Sequence, residues 1–185
     1  MTGVLPYKGI FPKIEENVLI APGAWVIGDV VIGSGSSIWF NTIVRGDVHY
    51  IRIGSEVNVQ DSSVLHVTAG KFPLEIGDRV TIGHRVVVHG CIVEEDCLLG
   101  MGALILDGAR IGKGSLVAAG SVVTPGFVVP PDSLVMGAPA VVKRKVDEDE
   151  RRLIQESVSH YLELAREYLY PSLLDNAPKI RGFLG

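Results

Sequence analysis

Five histidines are present, and three of them, His66, His84 and His89, fall close together in the middle of the chain. Three neutral imidazoles suit one zinc ion, with nitrogens at about 2.0–2.1 Å and the fourth position left for water. His66 directly follows the aliphatic Leu65, as His89 follows Val88, whereas His84 comes one place later in its register, after Ile82 and Gly83. His66 and His89 therefore share one register and His84 has another. The extended run from His84 to His89 covers up to about 16 Å. That separation is awkward for one ion held by one chain and natural if His84 comes from a neighbouring subunit. His49 and His160 lack the shared register and read as surface or hydrogen-bonded residues. Arg45 and Asp47, in RGD, suit a buried bidentate ion pair. Asn58, Gln60 and Asp61, in NVQD, bring amide and carboxylate groups one coil before His66.

The elements that must position these residues announce themselves as a beat of six: Ile20, Val26, Ile32, Ile38 and Val44, then Ile76, Ile82 and Val88, then Val93, Leu99, Ile105 and onward through Val135 and Val141. Six is a multiple of the strand period, so every marked residue faces the same side of an extended backbone, and three hexads return the chain to its starting orientation. The expected fold is mainly β, a left-handed parallel β-helix of hexapeptide repeats. Two residues before most of these aliphatics stands a small residue that also faces inward, among them Ala24, Ser36, Thr42, Ser63, Cys91, Cys97 and Ala103. Glycines after the aliphatic, such as Gly83 and Gly100, are expected where the backbone turns a tight corner. The beat slips after Val44, again between Leu65 and Ile76, and between Val88 and Val93. His66 and His84 are one ordinary coil apart, about 4.8 Å along the axis, though in different columns.

The predicted β-helix domain covers 1–145, with the repeat from about 18 to 142 after a lead-in that is an edge strand or a loop. Beyond Lys145 the period becomes helical. Asp147 and Glu150 form a capping-box start, and Leu153, Ile154, Val158, Tyr161, Leu162, Ala165, Tyr168 and Leu169 form one apolar face. This C-terminal α-helix, within 146–170, is expected to pack antiparallel along an outer wall of the prism, leaving 171–185 as a tail. Flat outer faces favour homo-oligomers with three-fold packing, and Trp39, Phe40, Val67, Val87 and Leu106 are candidate contacts. Net charge is −4 and Lys143–Lys145 is the lone basic run, so neither nucleic acid nor an anionic membrane is the expected partner. Cys91 and Cys97 read as small core residues rather than a disulfide or metal site. No apolar stretch reaches the roughly 20 residues needed to span a bilayer, the amino terminus MTGVLPYKGI lacks a signal-peptide pattern, and a cytoplasmic location is expected.

RGD at 45–47, NVQD at 58–61, His66, GHRVVVHGC around His84 and His89, and GMGALILDGA from Gly100 together resemble the γ-class carbonic anhydrase family, over roughly residues 10–170. The resemblance implies a homotrimer with a metal at each subunit interface, Zn2+ or alternatively Fe2+ or Co2+. His66 and His89 would be ligands from one subunit and His84 from the next, and Arg45 and Asp47 would form an intersubunit ion pair. Gln60 would hydrogen-bond the bound water, with Asn58 near the same pocket, and Tyr161 would be the active-site tyrosine. A metal-bound hydroxide would attack carbon dioxide to give bicarbonate, with a small-molecule substrate and no other partner. Two glutamates assist proton export in the best characterised members; here Val48 follows Asp47, and Thr68–Lys71 carries no acid. Proton export then falls to water, buffer, Glu75 or His49, and weak turnover is expected. Other readings of the same residues are a hexapeptide acyltransferase with a histidine general base, a metal-dependent thioesterase, and a non-catalytic trimeric scaffold.

Overall fold

The computed structural model describes residues 3–170; the expected tail, 171–185, lies outside the described residues. The chain is a parallel β-solenoid of about seven turns followed by one helix, Glu148–Leu169. Strand alternation explains it. In each hexad two side chains point inward, and stacking the coils buries them in one continuous column. The marked aliphatics from Val26 through Val135 are all buried, as are their small partners. Buried hydroxyls are satisfied by the next coil: Ser36 Oγ donates to the Gly54 carbonyl at 2.9 Å, Thr42 Oγ1 to Gln60 O at 2.9 Å and Ser63 Oγ to Gly83 O at 3.0 Å. Both cysteines are free and buried, and burial pushes the Cys97 thiol up to about 12.

Three ladders make the faces. The first runs through Ile43–Ile53, Val64–His66, Val87–His89, Leu104–Ile105 and Val122–Val123. The second uses the far end of Ile43–Ile53, then Leu74–Ile76, Ile92–Val93, Arg110–Ile111 and Val128–Val129. The third runs from Leu19–Ile20 to Ser133–Gly137. The lead-in supplies two short strands, Gly3–Leu5 and Lys13–Ile14, which extend the first coil.

The helix covers the third face. Its early residue Ile154 packs with Leu116 and Leu134, and its later Ala165 with Leu19 and Trp39, so it runs antiparallel to the progression of the coils. Asp147 caps it: Asp147 Oδ1 accepts from the Glu150 N–H and Glu150 Oε2 accepts from the Asp147 N–H, both at 3.0 Å. Among the described residues no helix is long and apolar enough to cross a membrane.

Four expectations are corrected. Val141 is 45% exposed rather than inward, because Ala140–Lys145 turns back antiparallel on Ser133–Gly137 and leaves the parallel register. Trp39 is buried under the helix against Tyr168 and Val67 is core, so neither is available to another copy, while Phe40 packs on Tyr168 and stays partly buried. The coil containing His66 is 23 residues rather than 18, since the turn at 68–72 bulges outward, and His89 rather than His84 lies one coil beyond His66.

The fourth concerns Gly100, which has no positive φ. A Cβ there would lie 2.5 Å from Ala119 N and 2.8 Å from Val117 O, so glycine is required by the close approach of the next coil rather than by a turn. Gly100→Ala is expected to lower stability by about 1–3 kcal/mol. Guanidinium unfolding measures it, and a midpoint equal to the parent's would sink this account.

Candidate metal centre

The first face carries polar residues along both of its edges. At the trailing edge, register stacks His66 directly on His89, with Arg45, the residue after Val44, one coil earlier. His66 Nε2 donates to Asp47 Oδ1 at 3.1 Å, and His89 Nδ1 donates to Asp107 Oδ1 at 2.6 Å. These partners assign the tautomers. The two remaining nitrogens, His66 Nδ1 and His89 Nε2, then face each other at 3.0 Å, each with a lone pair. Two lone pairs at that distance repel unless a positive charge lies between them. A tetrahedral cation with nitrogens at 2.0–2.1 Å spaces its donors about 3.3 Å apart, so the pair fits two corners of such a site.

The leading edge holds the rest. His84 Nδ1 lies 2.8 Å from Asp61 Oδ2, and both side chains are accessible. Gln60, Leu98, Met101 and Tyr161 join His84 around a pocket of about 330 Å3 between the coils and the helix. Asn58 and Gln60 are buried and linked: Asn58 Nδ2 donates to Thr81 Oγ1 at 2.8 Å, and Gln60 Nε2 to Asn58 Oδ1 at 3.1 Å. The Gln60 side-chain amide oxygen is left to accept from a ligand. Tyr161 stacks edge-on against Trp39, and burial together with the Asp61 charge raises its phenol above the ordinary value.

Sequence-predicted residues thus fall into two groups within one chain: Arg45, Asp47, His66 and His89 on one edge, and Asn58, Gln60, His84 and Tyr161 on the other. Among the described residues no three His, Cys, Asp or Glu side chains of a single chain are arranged to hold a metal ion. The donor set of three imidazoles suits a transition metal only if the two edges meet across copies. His66 and His89 each have one ring nitrogen hydrogen-bonded to an aspartate, the arrangement that orients metal-binding imidazoles, and His84 Nδ1 lies 2.8 Å from Asp61 Oδ2.

Burial is the largest influence on His66 and lowers its imidazole, against the opposing hydrogen bond from Asp47. Asp47 feels burial upward, but hydrogen bonds from Arg45 and His66 outweigh it and hold the carboxyl below the ordinary value; Asp107 follows the same pattern with His89 and Thr68. Within one chain the Arg45–Asp47 pair is a single-nitrogen contact at 2.5 Å with a partly exposed guanidinium, rather than buried and bidentate, because the second Asp47 oxygen serves His66. Glu75 accepts from the Tyr50 hydroxyl at 2.7 Å and His49 Nδ1 from the Tyr50 N–H at 2.9 Å, so both expected proton acceptors are engaged with Tyr50.

Asp107 and its Thr68 contact are absent from the sequence reading. A signal existed: Asp107 stands 18 residues, one regular coil, after His89.

The faces outside these edges differ. The first face bears an outward column of Trp25, Ile43, Val64, Val87, Leu104 and Val122. The second bears Val31, Arg52, Glu75, Ile92, Arg110 and Val128, a mixed column in which Arg52, Glu75 and Arg110 carry charge. With the third face under the helix, the outward column that is apolar throughout, among the described residues, is the one flanked by the histidines.

Among known proteins, the family described as bacterial transferase hexapeptide (six repeats) matches residues 11–46 and 90–125, and the hexapeptide repeat of succinyl-transferase matches 73–103. A carbonic anhydrase of Geobacillus kaustophilus is 46% identical over 165 residues, covering 89% of this chain and 90% of the relative. The Bacillus subtilis protein called uncharacterized transferase YtoA is 52% identical over 167 residues, covering 90% and 97%. A Bacillus cereus crystal structure described as a putative acetyltransferase superposes with a TM-score of 0.88 at 43% identity, covering 90% of this chain and 96% of that one.

Proposed function

Because this chain belongs to the γ-class carbonic anhydrase-like family of hexapeptide-repeat proteins, we propose that it catalyses the reversible hydration of carbon dioxide to bicarbonate at metal sites shared between copies in a homotrimer. The observation that carries the reading is the set of three histidines, each with one nitrogen within 3.1 Å of an aspartate oxygen and the other free to bind a metal. His66 and His89 contribute from the trailing edge of one copy and His84 from the leading edge of the next. The placement of these donors on opposite edges of one face supports a closed ring, in which a contact made once is repeated by symmetry. The apolar outer column between the edges is the surface such packing would bury. Zinc is the proposed ion, and iron(II) or cobalt(II) suits the same nitrogen donors.

When bound, the cation supplies Lewis acidity that brings the ionisation of water close to neutral pH. The chain's own residues bind and orient. His66 remains neutral and available at pH 7, because burial lowers its imidazole. Gln60, anchored by Asn58, offers its side-chain amide oxygen to a water in the pocket, and Tyr161 keeps its proton as a hydrogen-bond donor there. Leu98 and Met101 give carbon dioxide an apolar wall. The released proton passes to water or buffer, which limits turnover when buffer is dilute.

Elemental analysis of anaerobically purified protein, paired with stopped-flow hydration on the same sample, tests this. About one metal per three-histidine set, with hydration that disappears on chelation, is the expected result. Metal without hydration removes the anhydrase reading. A second reading, acyl transfer with a histidine general base, draws on the His89–Asp107 dyad and on the similarity to the Bacillus cereus structure. Acyl transfer from acyl-coenzyme A by metal-free protein would favour it.

A further inference from the structure

Around His89 the contacts continue beyond the ring. The two oxygens of Asp107 are divided: Oδ1 accepts from His89 Nδ1 at 2.6 Å, and Oδ2 accepts from Thr68 Oγ1 at 2.7 Å. Thr68 belongs to the insertion that follows His66. That insertion is closed on itself by an antiparallel bridge, with the Thr68 N–H donating to Phe72 O at 3.0 Å. Phe72 fastens the insertion to the coils on either side of the dyad. A Cβ on Gly90 would lie 2.8 Å from Phe72 Cβ, and one on Gly108 would lie 3.0 Å from its ring. Gly90 directly follows His89 and Gly108 directly follows Asp107. The turn is thus seated against the glycines that follow both residues of the pair while its hydroxyl holds the carboxylate.

A neutral imidazole can carry its proton on either nitrogen, and the ring can be held at more than one angle. With both Asp107 oxygens in use, the carboxylate cannot rotate away from His89 without losing the Thr68 bond. The His89 proton is thereby kept on Nδ1, and Nε2 keeps its lone pair toward His66.

We propose that Asp107 is the positioning residue for the donor nitrogen of His89, and that Thr68, in the turn after His66, holds Asp107 in that role. The inference rests on the metal reading above. It makes the short turn, which lacks the acids expected of it, a determinant of metal affinity.

The test measures zinc dissociation constants of the full-length protein by competition with a chelator, and the visible spectrum of the cobalt form, for Thr68→Val, Thr68→Ser and Asp107→Asn. Valine keeps the shape of threonine without the hydroxyl; serine keeps the hydroxyl. Asp107→Asn can keep an amide oxygen on His89 Nδ1 and turn its amide N–H to the Thr68 hydroxyl, so what it removes is the carboxylate charge that strengthens the His89 bond. Zinc affinity is expected to fall about 10- to 100-fold in Asp107→Asn and about fivefold in Thr68→Val. Thr68→Ser should restore the parent affinity and the parent cobalt spectrum. If Asp107→Asn does not fold, the valine and serine pair decides alone. Equal affinity in the parent and Thr68→Val, or serine as weak as valine, overturns the proposal while leaving the metal reading intact. A parent protein that binds no zinc overturns both.

Discussion

Mixing His84→Ala subunits with His89→Ala subunits should restore metal sites that neither variant holds alone. In a ring where each site takes His66 and His89 from one copy and His84 from the next, a mixed trimer contains one site with all three imidazoles, whichever variant is in the majority. Random assembly from equal amounts then recovers about a quarter of the parent's sites. The basis is the separation within one chain: His66 Nδ1 and His89 Nε2 lie 3.0 Å apart at one edge of the first face, while His84 stands with Asp61 at the other. Co-expression with two affinity tags isolates verified heterotrimers, in which metal per chain is expected at about one third of the parent's. Absence of recovery in such heterotrimers would refute shared ligation, and retention of metal by either single variant would argue that its histidine is not a ligand.

Leu99→Ala should destabilise the protein by about 2–5 kcal/mol, toward the upper part of that range. Leu99 is fully buried, between Ile82 and Val117 in the interior column. The coils above and below cannot close on the vacated space, because their spacing is set by backbone bonds: Gly83 N–H to Leu99 O at 2.8 Å and Gly100 N–H to Val117 O at 2.7 Å. A rigid frame leaves the cavity open, and an open cavity is the expensive outcome. Leu153→Ala, at a helix position that is 50% exposed, should change stability by no more than about 0.5 kcal/mol. Guanidinium midpoints at one protein concentration and one metal content give both values. A loss below about 1 kcal/mol for Leu99→Ala would mean the coils do relax.

Leu153 shows where helical periodicity misleads. It belongs to the expected apolar face, yet only Ile154, Val158 and Ala165 of the helix are buried. A single helix on a nearly flat sheet offers a narrower contact than the apolar stripe printed on it. Trp39 and Phe40 teach a related lesson: both point outward, as expected, but their partner is the chain's own helix rather than a second copy. Direction was legible in the strand period. The occupant of the space was not.

The site divides in the same way. That His66 and His89 share a register is visible from Leu65 and Val88, and that His84 differs is visible from Gly83. Their stacking is invisible until the outward turn at 68–72 lengthens that coil to 23 residues and brings His89, not His84, beside His66.

By itself the sequence determined the solenoid, its inward columns, the capped helix and the identity of the polar residues. Each of these depends on alternation along a strand or periodicity along a helix, which neighbouring residues dictate locally. Tertiary structure alone decided which residues meet across coils: Asp107 on His89, Thr68 on Asp107, Ala119 against Gly100, and the helix over Trp39. Those contacts depend on the length of the chain between successive coils and on which face remains uncovered. Both are sums over many residues, and a local period carries no record of them.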